Sequence, residues 1–156
     1  MKGKMIAIIS IVVLLFVGLF AANAYKSNKK LNENDNPYDK TDLRQETIDL
    51  LDDPLYDNII VQDDLKAEID SGDPLTVYYF SPTCTYCQQT TPILVPIVED
   101  MDVDMKKLNT LEYGMEPFGI EATPTLVHYN DGSEVARLVG QQDEEVYREF
   151  FENYTQ

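Results

Sequence analysis

The sequence predicts an α/β domain, a central mixed β-sheet flanked by helices, preceded by an N-terminal transmembrane helix. Three observations support this. Met5 to Ala24, "MIAIISIVVLLFVGLFAANA", is uncharged and almost wholly apolar. "LTVYYF", Leu75 to Phe80, is a β-rich run bounded by Pro74 and Pro82, as suits a strand buried on both faces. "TPTLVHYNDGSEVARLVG" reads as two strands joined by an NDG turn, a hairpin signal.

A small domain cannot bury the first of these runs on every side, so Met5 to Ala24 is a signal peptide or a spanning helix. Ala22-Asn23-Ala24 fits a cleavage site, yet the run reaches the roughly 20 residues that cross a bilayer. A retained anchor is therefore expected over cleavage after Ala24. Residues 1–4 become a short cytoplasmic N-terminus, 5–24 the signal-anchor, 25–40 a polar, Asn-rich flexible tether, and 41–156 the folded domain. No cysteine lies near the end of the run, so a lipid anchor is not expected. Lys2 and Lys4 nearly balance Lys26, Lys29 and Lys30 across the run, which leaves orientation open by charge alone. The N-terminal position, the export-like A-x-A stretch and the close cysteine pair behind it favour a single pass with the domain on the extracytoplasmic side.

Charge is spread unevenly. Formal net charge is -16, and the first 30 residues contain those five lysines and no acid. The remainder carries 7 basic against 28 acidic residues, or -21. Such a domain is repelled by nucleic acid and by anionic membrane surfaces, and nucleic acid is excluded as a partner. The acidity reads as a soluble surface, and a monomer is expected.

Along the domain, "TDLRQETIDLL" (Thr41 to Leu51) suggests a helix capped by Thr41 or Asp42, with Leu43, Ile48, Leu50 and Leu51 packing inward. "YDNIIVQ" is a short strand or extended turn, and "DDLKAEIDSG" (Asp63 to Gly72) is a helix with an acidic first turn and a terminal glycine. After the Leu75 to Phe80 strand, Cys87 to Met101 has helical spacing of Leu94, Val95, Ile97, Val98 and Met101. Pro92 and Pro96 predict a kink or restart near Pro96. "VDMKKLN" is a further strand and "TLEYGMEPFG" a short helix or turn. "DEEVYREFFENY" closes the chain as an amphipathic helix with Val146, Phe150 and Phe151 inward. Strand, crossover helix and strand, then hairpin and helix, give a mixed sheet covered by helices.

Both cysteines, Cys84 and Cys87, lie two residues apart between the apolar strand and the helix that follows. A structural zinc site needs about four ligands, whereas the chain offers two cysteines and one histidine. That histidine, His128, reads as a half-buried strand residue, so no metal is expected. A bridge between Cys84 and Cys87 would close too short a loop to add much stability. Redox chemistry remains. A C-x-x-C pair opening a helix exposes its first sulfur to unpaired backbone N–H groups and the helix dipole, which favour the thiolate. The second sulfur, one turn on, is shielded and within bonding reach. Cys84 is thus the attacking thiol and Cys87 the resolving one, with no cofactor needed.

These segments resemble the thioredoxin-like family of thiol–disulfide oxidoreductases over about residues 59 to 154. "VYYFSPTCTYC" is similar to that family's strand, aromatic and C-x-x-C segment, and "FGIEATPTLVHY" to its G-I-x-x-x-P-T segment. The resemblance implies a thioredoxin-like fold, a cis-proline at Pro124 and a backbone at Thr123 that pairs with an extended substrate chain. It places Gly140 beside the substrate groove. Lys107, in "KKLN", matches a buried lysine that tunes the pKa of the resolving thiol. Tyr86, in the dipeptide between the cysteines, is an exposed ring over the sulfur and a candidate for substrate contact. Three departures stand out: Thr83 occupies a common tryptophan position, Thr85-Tyr86 replaces Gly-Pro, and Tyr78 stands where thioredoxins carry a buried acid.

The expected function is a membrane-tethered bacterial oxidoreductase that exchanges disulfides with exported cysteine-containing proteins. A membrane or extracytoplasmic redox partner would restore it. Oxidation or disulfide shaping is favoured, because Tyr78 removes the acid that speeds reduction. Reduction, for instance of cytochrome apoproteins, is the alternative. A Cu(I) carrier using the two thiolates is a third reading, with His128 as its candidate further ligand.

Overall fold

The computed structural model of the protein describes residues 2–32 and 36–155; Met1, residues 33–35 of the expected tether and Gln156 lie outside the described residues. Two units divide at Asn36. The first is one helix, α1 (Lys2–Asn32), whose large apolar side chains from Met5 to Phe20 are exposed. Its Ile8–Tyr25 stretch is long and apolar enough to cross a membrane, a property shared by signal sequences. The expected flexible tether is corrected at both ends. The stretch from Tyr25 to Asn32 lacks Gly and Pro and continues the helix. Tyr38 is only 2% exposed, packed inside the second unit.

That second unit is built on strands β1 (Leu75–Phe80), β2 (Met105–Asn109), β3 (Thr125–Asn130) and β4 (Ser133–Val139). They form one sheet in the order β2-β1-β3-β4, with β1 parallel to β2 and the other pairs antiparallel. All six residues of β1 are buried. Because side chains alternate across a strand, Tyr78 and Phe80 face one core with Leu94, Ile97, Phe150 and Phe151. Leu75, Val77 and Tyr79 face the other with Leu65, Leu108 and Val127. Burial of each such side chain contributes about 1.5–3 kcal/mol, so β1 anchors both layers.

The helices are α2 (Gln45–Ile48), α3 (Gln62–Ser71), α4 (Thr85–Asp100), α5 (Thr110–Tyr113) and α6 (Glu144–Tyr154). Expected over Thr41 to Leu51, α2 is a single turn beginning at Gln45, and Leu43 and Ile48 are buried as anticipated. Its Thr47 hydroxyl is drawn into long-range bonds, and the chain around it follows those partners. α3 ends where Gly72 takes a left-handed conformation. Gln62 starts it, and just before it Ile59 forms an isolated parallel bridge to Lys107.

One expectation about α4 fails. The helix runs unbroken through Pro92 and Pro96. Four residues apart, both prolines lie on the exposed face, so the carbonyls they leave unpaired point to solvent. The β3–β4 hairpin turns at Asp131 (φ 51) and Gly132 (φ 71), the positive-φ pair that a two-residue hairpin requires. Asp131 N donates to Gly72 O at 3.0 Å, tying the turn to the end of α3. In α6, Phe150 and Phe151 are buried and Val146 partly so; Tyr147, not anticipated, is buried too.

Candidate active site

β1 ends at Phe80, the chain turns through Pro82, and Cys84 becomes the N-cap of α4. The first turn of a helix has N–H groups without intrahelical partners. One is met here by sulfur: Cys87 N donates to Cys84 Sγ at 3.2 Å. From the other side the Cys84 thiol donates to Thr123 O, also at 3.2 Å. The Thr123–Pro124 peptide is cis, and Pro124 O accepts from Gly140 N at 2.8 Å. The start of α4 and the cis-proline segment therefore meet at one sulfur, and Gly140 braces the second of them.

The two thiols are electrostatically unequal. Partial burial acts to raise the Cys84 pKa, but bonds from the Cys87 side chain, Thr123 and the helix N–H groups outweigh it and hold it below the ordinary thiol value. Cys87 is fully buried; burial, then the neighbouring Cys84 side chain, pushes its pKa up to about 12. Both cysteines are free thiols. An accessible sulfur whose thiolate is favoured by its surroundings, beside a buried sulfur whose thiol is favoured, is the arrangement that disulfide exchange uses.

Around the pair, Tyr86 (62% exposed) and half-exposed Ile93 form one side of a cleft of about 620 Å³ whose other side includes Gly140 and Asp143. Gly140 has φ +80 and open space where a Cβ would stand. A second cleft, of about 420 Å³, is lined by Thr83, Cys84, Leu111, Met115 and Thr123.

Not every expected site residue gathers here. Lys107 is buried, but its ammonium is engaged by the Asp57 carboxylate at 2.8 Å and by Asp57 O at 3.0 Å. The Lys107 ammonium is thus paired with Asp57, while burial first, then the Cys84 side chain, raise the pKa of the resolving thiol against lowering bonds from Ser81 and Thr123. Asp57 escaped the sequence reading, since nothing local ties it to a lysine 50 positions on. Where a carboxylate was missing, Tyr78 OH pairs with Thr91 Oγ1 at 3.1 Å, and Thr91 donates to Cys87 O at 2.8 Å. Desolvation raises the Tyr78 pKa, so its hydroxyl stays neutral and is no base. Thr91 and Tyr56, which also faces the Thr91 hydroxyl, were missed; both carry unspecific residue types in unremarked positions.

His128 is buried, bonded to Thr76 through Nδ1 at 2.8 Å, and its pKa is lowered by burial. It lies three residues along β3 from Thr125, about 10 Å at the rise of a strand, away from the cysteine end.

A strand-to-helix dithiol faced by a cis-proline loop defines a thiol–disulfide exchange protein. The chain belongs to the thioredoxin family, whose model matches residues 58–153. Among curated relatives, a disulfide bond formation protein from Brevibacillus choshinensis is 33% identical over 92 residues, covering 55% of this chain and 77% of that protein. A thioredoxin from Chlamydia pneumoniae is 36% identical over 90 residues, covering 56% and 87%. Among solved structures, a mutant thioredoxin from Halobacterium salinarum matches with a TM-score of 0.52 and 28% identity, over 61% of this chain and 86% of that one. The chain is accordingly a thioredoxin-like thiol–disulfide oxidoreductase acting on protein disulfides.

Proposed function

We propose that the protein is a membrane-tethered, extracytoplasmic oxidoreductase in which Cys84 attacks and Cys87 resolves. The observation that carries this reading is the inequality of the two sulfurs: Cys84 at the mouth of α4, accepting an N–H bond with its pKa lowered, and Cys87 fully buried. In reduction, the Cys84 thiolate attacks a substrate disulfide, forming a mixed disulfide and releasing one substrate thiolate. The Cys87 sulfur, on losing its proton, attacks Cys84 and releases the second substrate thiolate. Oxidation of a substrate dithiol is the reverse sequence, with the electron pair passing from substrate to the Cys84–Cys87 disulfide.

Among the described residues the Thr123 N–H meets no hydrogen-bond acceptor, so an extended substrate chain could pair there by strand addition, with Pro124, Gly140 and Tyr86 lining its path. Exported cysteine-containing proteins are the proposed substrates, supported by the apolar α1 ahead of the domain. The direction favoured is oxidation or disulfide shaping. Bonds that stabilise the Cys84 thiolate stabilise the reduced pair, and that raises the potential. The name of the Brevibacillus relative supports the same direction. The thioredoxin relatives keep reduction as the alternative.

Cys84→Ser should abolish turnover, whereas Cys87→Ser should accumulate mixed disulfides with substrates on non-reducing gels. Trapping by Cys84→Ser and none by Cys87→Ser would reverse the roles.

A further inference from the structure

Residues 37–57 precede the region matched by the thioredoxin family. Residues 37–47 nevertheless bury themselves against α5. Tyr38 is 2% exposed and Thr47 0%. Asn109, fully buried at the end of β2, donates through Nδ2 to Thr47 Oγ1 at 3.0 Å and to Tyr38 OH at 3.3 Å. Its Oδ1 accepts from Leu111 N at 3.0 Å, capping α5. Thr47 Oγ1 donates to Glu112 Oε1 at 2.6 Å, and Arg44 N donates to the same oxygen at 3.0 Å. Tyr113 OH donates to Tyr38 O at 2.6 Å, and the two rings stack. Lys40 Nζ donates to Glu112 O at 2.6 Å and sits over the Tyr113 ring.

All of these bonds converge on one short element. A single helical turn cannot hold its own conformation in water, because nucleation is unfavourable and tertiary contacts must supply the stability. α5 comprises four residues, and with the residues after it forms the wall of the cleft that opens on Cys84. The inner side of the wall is pinned by Thr110 Oγ1 donating to Phe80 O at 3.0 Å. Its outer side is bonded to residues 37–47 through Glu112 and Tyr113, and Tyr113 also packs on the core.

We propose that residues 37–47 are a strap that holds the α5 wall in its substrate-competent shape, with Tyr38 and Thr47 as positioning residues for polypeptide substrates. The proposal rests on exchange at Cys84. A substrate chain entering toward Thr123 passes between Thr83 and the Leu111–Met115 wall. Loosening the wall lowers the competent fraction and raises the apparent dissociation constant in proportion. A small disulfide that reaches Cys84 without leaning on the wall is not penalised.

The test uses the full chain in detergent, with dithiothreitol as electron source, and two substrates, insulin and oxidised glutathione. Thr47→Val and Tyr38→Phe should each raise KM for insulin, by about fivefold for each net hydrogen bond removed. Their kcat on insulin, turnover of glutathione and the potential of the cysteine pair should stay unchanged, and Thr47→Ser should keep the wild-type KM. An unchanged insulin KM in both variants, or an equal loss on both substrates, would overturn the strap. Should Thr47→Val fail to fold, Leu111→Ala changes the wall itself, and a normal insulin KM there would equally overturn it. A wild-type chain inert on both substrates would instead strike at thiol–disulfide exchange, and the strap's role would fall with it.

Discussion

Cys84 and Cys87 differ through their surroundings rather than their chemistry. Thiolate is the reactive form, so a lowered pKa moves the half-maximum of alkylation to lower pH. Iodoacetamide should therefore label Cys84 with an inflection below the ordinary thiol value, while Cys87 stays protected until strongly alkaline pH. Peptide mapping across a pH series checks both; equal labelling of the two at neutral pH would contradict the buried placement of Cys87. Tyr78 offers a second test. A carboxylate there would restore a proton acceptor near the resolving thiol, at the cost of burying a charge in the core. Tyr78→Asp should speed the decay of mixed disulfides at neutral pH and lower the melting temperature. Unchanged decay would mean that proton removal from Cys87 does not limit resolution.

Among the elements, the β3–β4 turn and α4 show how local chemistry sets structure. Gly132 holds φ +71, and a Cβ there would stand 3.3 Å from Ile69 O. Gly132→Ala should therefore destabilise the domain by about 1 kcal/mol or more, read as a lower thermal midpoint. A variant melting with the wild type would show that the turn relaxes freely. The hairpin, α3, β1 and β2 were all legible in the sequence, because turn residues and apolar alternation act over neighbouring positions. α4 was legible as a helix but its continuity was not. Proline is counted as a break unless it is known which face it occupies, and only packing against α6 and the sheet decides that. Thr41 to Leu51 shows the opposite failure. Helical spacing was present, but Thr47 is held by Glu112 and Asn109, 65 and 62 residues on, and the helix is a single turn.

For the whole molecule, charge and the N-terminal helix bear on location, and the site bears on direction. The proposed anchoring is checked by cell fractionation with protease added from outside. The domain should stay with the membrane and be digested in intact cells. Free domain beginning at Tyr25 in the medium would show cleavage after Ala24 and defeat the anchor, though not export. Direction is checked by the equilibrium potential of the full chain against glutathione. A value well above about -270 mV, that of thioredoxin, is expected of an oxidant. A value near it, with the thiols mostly reduced in growing cells, would leave a reductase.

By itself the sequence determined the strand-to-helix dithiol, the hairpin and the apolar N-terminal run, while the cis-proline was implied by family resemblance. The first three are set by residues within a few positions of one another, through capping, turn chemistry or continuous apolar character. Only the tertiary structure decided what each functional group meets. It set Thr123 O against Cys84 across 39 residues and paired the Lys107 ammonium with Asp57. It also folded Tyr38 and Thr47 onto α5. Contacts between distant segments depend on how whole layers pack, and neither spacing nor composition records that.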